Sequence, residues 1–301
     1  LQNNANCFKE RIMPNNFKNM YNIALREYTG QVRLAITGAA HGMGKSFARN
    51  MMNRLIVDHY LTFKDQEYKL PHIVYLLDCN SIDYVEEAKE QCENSVFEVF
   101  DAFSIGADSF NKQTIHDYVK RYLLVWVIED ADVSDKKTLP YIEPTHLFNN
   151  AGIQEGSDKR VIDTNLLGVM NCTERYALEN NRILSVLNQA SVSAHTGSEF
   201  SNYVASKGGI LAYTKAIANE LAPRAICNSI SFGGVKTHSN NYVIDDKYKW
   251  KEIMSVTPMK KWVTCDESSK YIEFLLMDNT SITGQDLIVD NGEMINSTFV
   301  W

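Results

Sequence analysis

The chain has 301 residues, 45% of them hydrophobic and 22% charged, with a formal net charge of −7 at pH 7. That length and apolar content suit one large α/β domain or two small ones, and an acidic chain without a basic run argues against nucleic acid or an anionic membrane as partner. The longest apolar run, residues 122–128, is too short to span a bilayer. The six cysteines form no Cys-x-x-Cys pair, which speaks against zinc and for a reducing, cytoplasmic setting.

Residues 1–30 precede the first strand pattern and carry no signal-peptide pattern; a helix over 16–26 or a partly ordered arm is expected there. Residues 32–36 read as a short apolar strand. Thr37-Gly38-Ala39-Ala40-His41-Gly42-Met43-Gly44 follows, and then a helical pattern over 45–55. Strand, glycine turn and helix begin a dinucleotide-binding βαβ unit, in which bare backbone approaches a pyrophosphate and the helix N-terminus offers free N–H groups. The same stretch admits a rival reading, since residues 39–46 fit a relaxed phosphate loop ending in Gly44-Lys45-Ser46.

Residues 58–70 read as a polar insertion, and residues 72–77 as a second apolar strand ending at Asp78. A carboxylate there accepts hydrogen bonds from a ribose 2′-OH and repels a 2′-phosphate, so NAD is favoured over NADP. Cys79 follows instead of an arginine, and the nearby His41 is mostly neutral at pH 7. Asp78 could instead cap the following helix, and it stands about twice as far from Gly38 as the roughly twenty residues of the usual fingerprint.

Further on, a strand over 96–100 ends at Asp101, a helical stretch covers 114–129, and a charged turn covers 130–137. The strand over 146–148 leads into Asn149-Asn150-Ala151-Gly152, and that over 183–190 runs directly into Ser191, with Ser193 as the alternative hydroxyl. Tyr203 and Lys207 then stand at i and i+4, one above the other on a helix face. An ammonium there is expected to hold the phenol below its usual pKa of about 10, and such a phenol exchanges a proton with a carbonyl or alcohol near neutral pH. His195, in the loop between Ser191 and Tyr203, reads as an exposed residue that could touch substrate.

Taken in this order, the chain resembles the short-chain dehydrogenase/reductase family from about Gln31 to Gly292. The resemblance rests on Thr37-Gly38-x-x-x-Gly42-x-Gly44, Asn149-Asn150-Ala151-Gly152, Asn165, Ser191, Tyr203/Lys207, the segment 228–237 and the last strand, 282–290. It implies an α/β fold: one domain, 31–301, with a doubly wound parallel (Rossmann) sheet, helices on both faces and a substrate lid over 237–264. It also implies roles. Tyr203 would be the general acid/base. Lys207 would lower its pKa and hold the nicotinamide ribose, Ser191 would hold the substrate oxygen, and Asn165 would support a relay water. Thr37, Gly38, His41, Gly42, Met43, Gly44, Asp78, Asn150, Ala151 and Gly152 would bind the cofactor, with Asp101 at adenine and Gly233, Val235 and Thr237 at the nicotinamide and phosphates. Phe232 stands where the family usually has proline, which implies a less rigid nicotinamide loop.

The expected function is NAD-dependent interconversion of a secondary alcohol and a ketone by a homodimer or homotetramer acting on a small molecule. The alternatives are an NADPH-dependent 3-oxoacyl-carrier reductase and a non-catalytic NAD(H)-sensing scaffold of the same fold.

Overall fold

The computed structural model describes residues 32–62, 72–85, 97–101, 123–128, 132–135 and 143–295. The expected N-terminal extension, 1–30, lies outside them, as does most of the polar insertion. One sheet is built from β1 (Arg33–Thr37), β2 (His72–Leu77), β3 (Phe97–Asp101), β4 (Leu123–Ile128), β5 (His146–Asn149), β6 (Ser185–Gln189) and β7 (Ile226–Phe232). The short β8 (Val235–Lys236) and β9 (Val263–Thr264) pair separately, and β10 (Asp286–Val289) completes the eight-stranded sheet in the order β10-β7-β6-β5-β1-β2-β4-β3. All neighbours in it are parallel.

The central strands β1 and β2 are buried along their whole length because both faces are covered. Alternation sends Leu34 and Ile36 of β1 and Val74 and Leu76 of β2 into one core, with Phe47 and Met51 of α1 (Gly42–Thr62). Ala35, Ile73, Tyr75 and Leu77 point into the opposite core. On that second face lies a helix that starts as α2 (Asp158–Ile162), passes a π-helical turn at Asp163–Leu167, continues as α3 (Gly168–Thr173) and ends in a second π-helical turn, Glu174–Leu178. After the single turn α4 (Ser193–Thr196) comes α5 (Ser201–Leu221), whose Ile217 and Leu221 close the same core. The doubly wound architecture read from the sequence is therefore the one observed.

The segment expected to be a lid holds α6 (Asn241–Ile244) and α7 (Lys247–Val256), and α8 (Cys265–Glu273) starts on a Thr264/Glu267 capping box. Arg54 ties α1 to the end of α8 through Glu273 (2.6 Å) and Asp278 (2.8 Å).

One expected element is corrected. Residues 123–128 form strand β4, not the end of a helix, and β4 takes the place beside β2, pushing β3 to the sheet edge. Leu-Leu-Val-Trp-Val-Ile is a short continuous apolar run, and periodicity alone does not separate a buried strand from a buried helix in such a run.

Strand order reverses between β1 and β5, so the crevice for a ligand opens at their carboxyl ends, at Thr37 and Asn149.

Candidate active site

The floor of this crevice is sewn together by side chains. The Thr37 hydroxyl accepts N–H bonds from Asn150 (3.0 Å) and Ala151 (3.1 Å), and the Asn150 amide donates to the carbonyls of Thr37 and Gly38 (3.1 and 2.9 Å). Thr37 is thus a builder of the turn, with its hydroxyl already engaged. Gly38 has φ +66°, and a Cβ on it would stand 2.8 Å from Ala151 Cα; one on Gly44 would stand 2.1 Å from Gly38 O, so the turn closes only around bare backbone. His41 caps nothing distant: its Nδ1 lies 2.6 Å from the Ala40 carbonyl.

Asp78 is 8% exposed at the end of β2. One carboxylate oxygen accepts the Ala40 N–H (2.9 Å), and the other accepts the backbone and side-chain N–H groups of Asn80 (2.8 and 3.0 Å). Both oxygens keep accepting capacity, since a carboxylate offers about four lone-pair sites.

Beneath the reacting end, Asn165 is fully buried in the first π-helical turn. It accepts the Ile153 N–H, donates to the Ile153 carbonyl (both 2.8 Å) and donates to Ser206 Oγ (3.1 Å). A Cβ on Gly152 would stand 3.3 Å from Asn165 Oδ1 and 3.6 Å from Lys207 Nζ, so this glycine leaves room above the pair.

Lys207, 3% exposed, donates to the Gln189 carbonyl (2.8 Å), and its Nζ lies 5.7 Å from the centre of the Tyr203 ring. Burial pushes its pKa down to about 8. Tyr203 is pushed up to about 12 by burial, with the charge of Glu199 raising it and a hydrogen bond with Ser191 opposing the shift. The expected depression of the phenol by Lys207 is therefore absent: the ammonium sits over the ring and is aimed at a carbonyl. At pH 7 both groups hold their protons. Ser191 Oγ also bonds Ser193 Oγ (3.0 Å), and of the two serines Ser191 lines the cleft.

These groups open on a cleft of about 590 Å³. Met43, Asn150, Gly152, Ser191, Tyr203, Lys207, Gly233, Val235 and Thr237 line it, as the sequence reading anticipates. Gly42 and Thr237 also border an adjoining recess of about 580 Å³. Bare turns, the N-terminus of α1 and the Asp78 carboxylate together form a donor and acceptor set that fits a dinucleotide.

Several residues escaped the sequence reading. Glu293, from the turn after β10, accepts the Gly234 N–H with both oxygens (3.1 and 3.3 Å). A Cβ on Gly234 would fall 2.0 Å from Trp262 Nε1. The Gly233-Gly234 turn after Phe232 is thus pinned by the tail and by Trp262, which itself meets Trp250 edge-to-face at 5.2 Å. Gln154 and Glu199 line the cleft and hydrogen-bond each other across it. No local motif announces these pairs, because their partners are far apart in sequence.

Asp101 is corrected. It ends β3 at the sheet edge, opposite Val127, with β4 between it and β2. The position beside β2 falls to the turn after β4, where Asp132 Oδ1 accepts the Ser134 N–H and hydroxyl (3.0 and 2.6 Å) and Val133 is buried against Gly168. The phosphate-loop reading gains no support: Lys45 sits over the Tyr84 ring with Asp83 at 3.8 Å, and Ser46 donates to Asp266 (2.7 Å), so both already have side-chain partners where they border the recess. His195 meets Asp286 of β10 at 2.8 Å, away from the cleft. Among the described residues no group of three or more His, Cys, Asp or Glu is placed to hold a metal ion, and no helix is long and apolar enough to cross a membrane.

Comparison with known proteins bears on the same residues. Residues 148–293 match the family model described as enoyl-(acyl carrier protein) reductase. The chain is 27% identical over 277 residues to a 3-oxoacyl-[acyl-carrier-protein] reductase of Staphylococcus epidermidis, covering 85% of this chain and 96% of that one. A reductase of the same description from Buchnera aphidicola is 26% identical over 262 residues, covering 85% and 95%. Among solved structures, a Brucella melitensis 3-oxoacyl-[acyl-carrier protein] reductase with bound NAD superposes with a TM-score of 0.63 at 23% identity (91% and 95% covered). A putative 2-deoxy-D-gluconate 3-dehydrogenase of Agrobacterium tumefaciens with bound NADP gives 0.64 at 21% (88% and 96%). At such identities the superpositions establish the fold.

Proposed function

We propose that the chain is an NAD(P)-dependent oxidoreductase of the short-chain dehydrogenase/reductase family, to whose reductases it is similar, and that it interconverts a secondary alcohol and a ketone with NAD(H) as cofactor. The observation that carries this reading is the convergence of Ser191, Tyr203 and Lys207 on one cleft at the strand-order switch. Gly233, Val235 and Thr237 would hold a nicotinamide cofactor at this cleft, and its reduced form would supply a hydride to the carbonyl carbon. The Tyr203 phenol gives its proton to the carbonyl oxygen, so that the ketone becomes an alcohol and the phenol a phenolate. Ser191 holds that oxygen as charge develops on it. The Lys207 ammonium offsets the phenolate, and Asn165, fixed to both backbone groups of Ile153, holds the loop beside it. With the phenol at about 12 and the ammonium at about 8, the site at pH 7 is loaded with protons for reduction.

Asp78 supports NAD, as its carboxylate sits where a 2′-phosphate would be repelled. A second reading, an NADPH-dependent 3-oxoacyl-carrier reductase, draws on the names of the curated relatives and on Arg160, whose positive charge is felt at Cys79 beside Asp78. Titration with NADH and with NADPH, followed by nicotinamide fluorescence, decides between them. Tighter NADH binding supports the first, tighter NADPH binding the second, and binding of neither defeats both. Tyr203→Phe should abolish turnover with cofactor still bound; retained turnover sinks the mechanism, whereas a non-catalytic scaffold would show no turnover in either form.

A homodimer or homotetramer is proposed as the working assembly. Leu167 and Met170, on the helix that carries Asn165, are 39% and 38% exposed, an apolar face suited to a second copy. A monomer by light scattering at micromolar concentration would contradict it.

A further inference from the structure

The loop that enters the catalytic helix carries an unusual backbone. Gly197 has φ +71°, and two residues later Glu199, which is not a glycine, has φ +95°. Positive φ is costly for a residue with a Cβ and persists where the surroundings fix it. Here the fixing contact lies across the cleft: Gln154, in the loop after Gly152, donates its side-chain amide to a Glu199 carboxylate oxygen. The two side chains therefore face each other over the mouth, and both line the cavity that Ser191 and Tyr203 open on. Glu199 is close enough to the reacting phenol for its charge to be felt there.

The charge of the cavity is consistent with this position. Its lining carboxylates are Glu199 and Glu293, against one lining ammonium, Lys207, whose proton is already directed at the Gln189 carbonyl. A bound dinucleotide adds two phosphate charges of the same sign as the carboxylates. A substrate carrying a carboxylate or phosphate near its carbonyl would enter this mouth against like charge. A substrate carrying an N–H or O–H at that place could instead take over the hydrogen bond that Gln154 now makes.

We infer that Glu199, held by Gln154, is a specificity-determining residue that selects neutral, hydrogen-bond-donating carbonyl substrates and rejects anionic ones. The inference rests on the oxidoreductase reading given above and names the substrate class of that same site.

The test uses two small ketones of nearly the same shape, acetoacetamide and acetoacetate, which differ in charge and in the presence of an amide N–H. Their binding to the NADH complex of the Tyr203→Phe protein, where turnover is removed, is read from nicotinamide fluorescence. The amide is expected to bind about tenfold more tightly than the anion, a factor equivalent to about 1.4 kcal/mol. Adding Glu199→Gln should bring the two to within about threefold, mostly by tightening acetoacetate. Equal affinities before the change, an unchanged ratio after it, or no binding of either ketone with NADH in place would overturn the inference. Failure of NADH itself to bind would instead overturn the underlying assignment of the site.

Discussion

On the floor of the cleft, Thr37, Asn150 and Asn165 each make two or three hydrogen bonds, and nearly all of these reach backbone groups of the adjoining turns. The opposite wall, Gly233-Gly234, is held by one carboxylate from the chain's tail and by the face of Trp262. Floor geometry is over-determined, because each backbone group is fixed by a side chain that is itself fixed. Wall geometry rests on few side chains: beside the backbone bonds of Gly233 N–H to Val289 O (3.1 Å) and Val263 N–H to Gly234 O (3.0 Å), Glu293 and Trp262 bear on it. The floor should therefore answer to mutation through chemistry or global stability, and the wall through cofactor affinity.

The largest effect is expected where the floor meets the reacting atoms. Lys207→Met keeps the bulk of the side chain and removes the ammonium, and it should lower kcat/KM for ketone reduction by about 10²–10⁴, the range for a positioned proton-transfer group. Cofactor binding should survive in part. Near-normal turnover in this variant would detach the floor from catalysis and break the comparison.

Next in size is Asn165→Leu. The substitution leaves the Ile153 N–H and carbonyl without their partner, at about 1–3 kcal/mol for each group left unsatisfied, while Ser206 keeps its bond to the Tyr203 carbonyl. Thermal unfolding should show a Tm lower by several degrees. An unchanged Tm would mean that the floor is less tightly determined than its hydrogen bonds imply.

The wall should respond differently. Glu293→Ala removes the acceptor for Gly234 N–H, and a hydrogen bond to a charged group is worth about 1.5–3 kcal/mol. An increase of about tenfold in KM for the dinucleotide is expected, with kcat and Tm little changed. Glu293→Gln, which keeps an acceptor, should recover part of it. A loss in Tm comparable to that of Asn165→Leu would erase the distinction between the two sides.

The same contrast explains what could be read in the sequence. Thr37 to Gly44, Asn149 to Gly152, Ser191 and the Tyr203/Lys207 pair are legible because each does its work beside its chain neighbours, at a strand end or along one helix face. Glu293 and the Gln154–Glu199 pair are not, since their meaning arises only when distant segments meet. Asp101 was misplaced for a related reason. The apolar run 123–128, expected within a helix, forms β4 and takes the place beside β2, which leaves Asp101 at the sheet edge. The contacts that Glu293 and Trp262 make to Gly234, beside the Phe232 from which the resemblance implies a less rigid loop, are likewise invisible in the local sequence.

The smallest predicted effect concerns pH and bears on the floor alone. Burial pushes Lys207 down to about 8 and Tyr203 up to about 12, so between pH 7 and 9.5 Lys207 is the member of the pair that titrates. Reduction needs the ammonium beside the nascent phenolate. As pH rises through about 8 the ammonium is lost, and kcat/KM for the ketone should fall, by about twofold at pH 8 and then toward tenfold per unit. Stability moves the other way. Between about 8 and the ordinary lysine value of 10.5, the native state holds fewer protons at Lys207 than the unfolded chain does, so the contribution of this residue to stability rises with pH. That contribution is lost again as pH falls through about 8, where burying the charge becomes costly. Measured against Lys207→Met, the protein should therefore gain Tm over the same interval in which it loses activity. Activity that climbed through pH 8, or a Tm difference that shrank there, would mean that the ammonium over the Tyr203 ring is not the group that governs the proton.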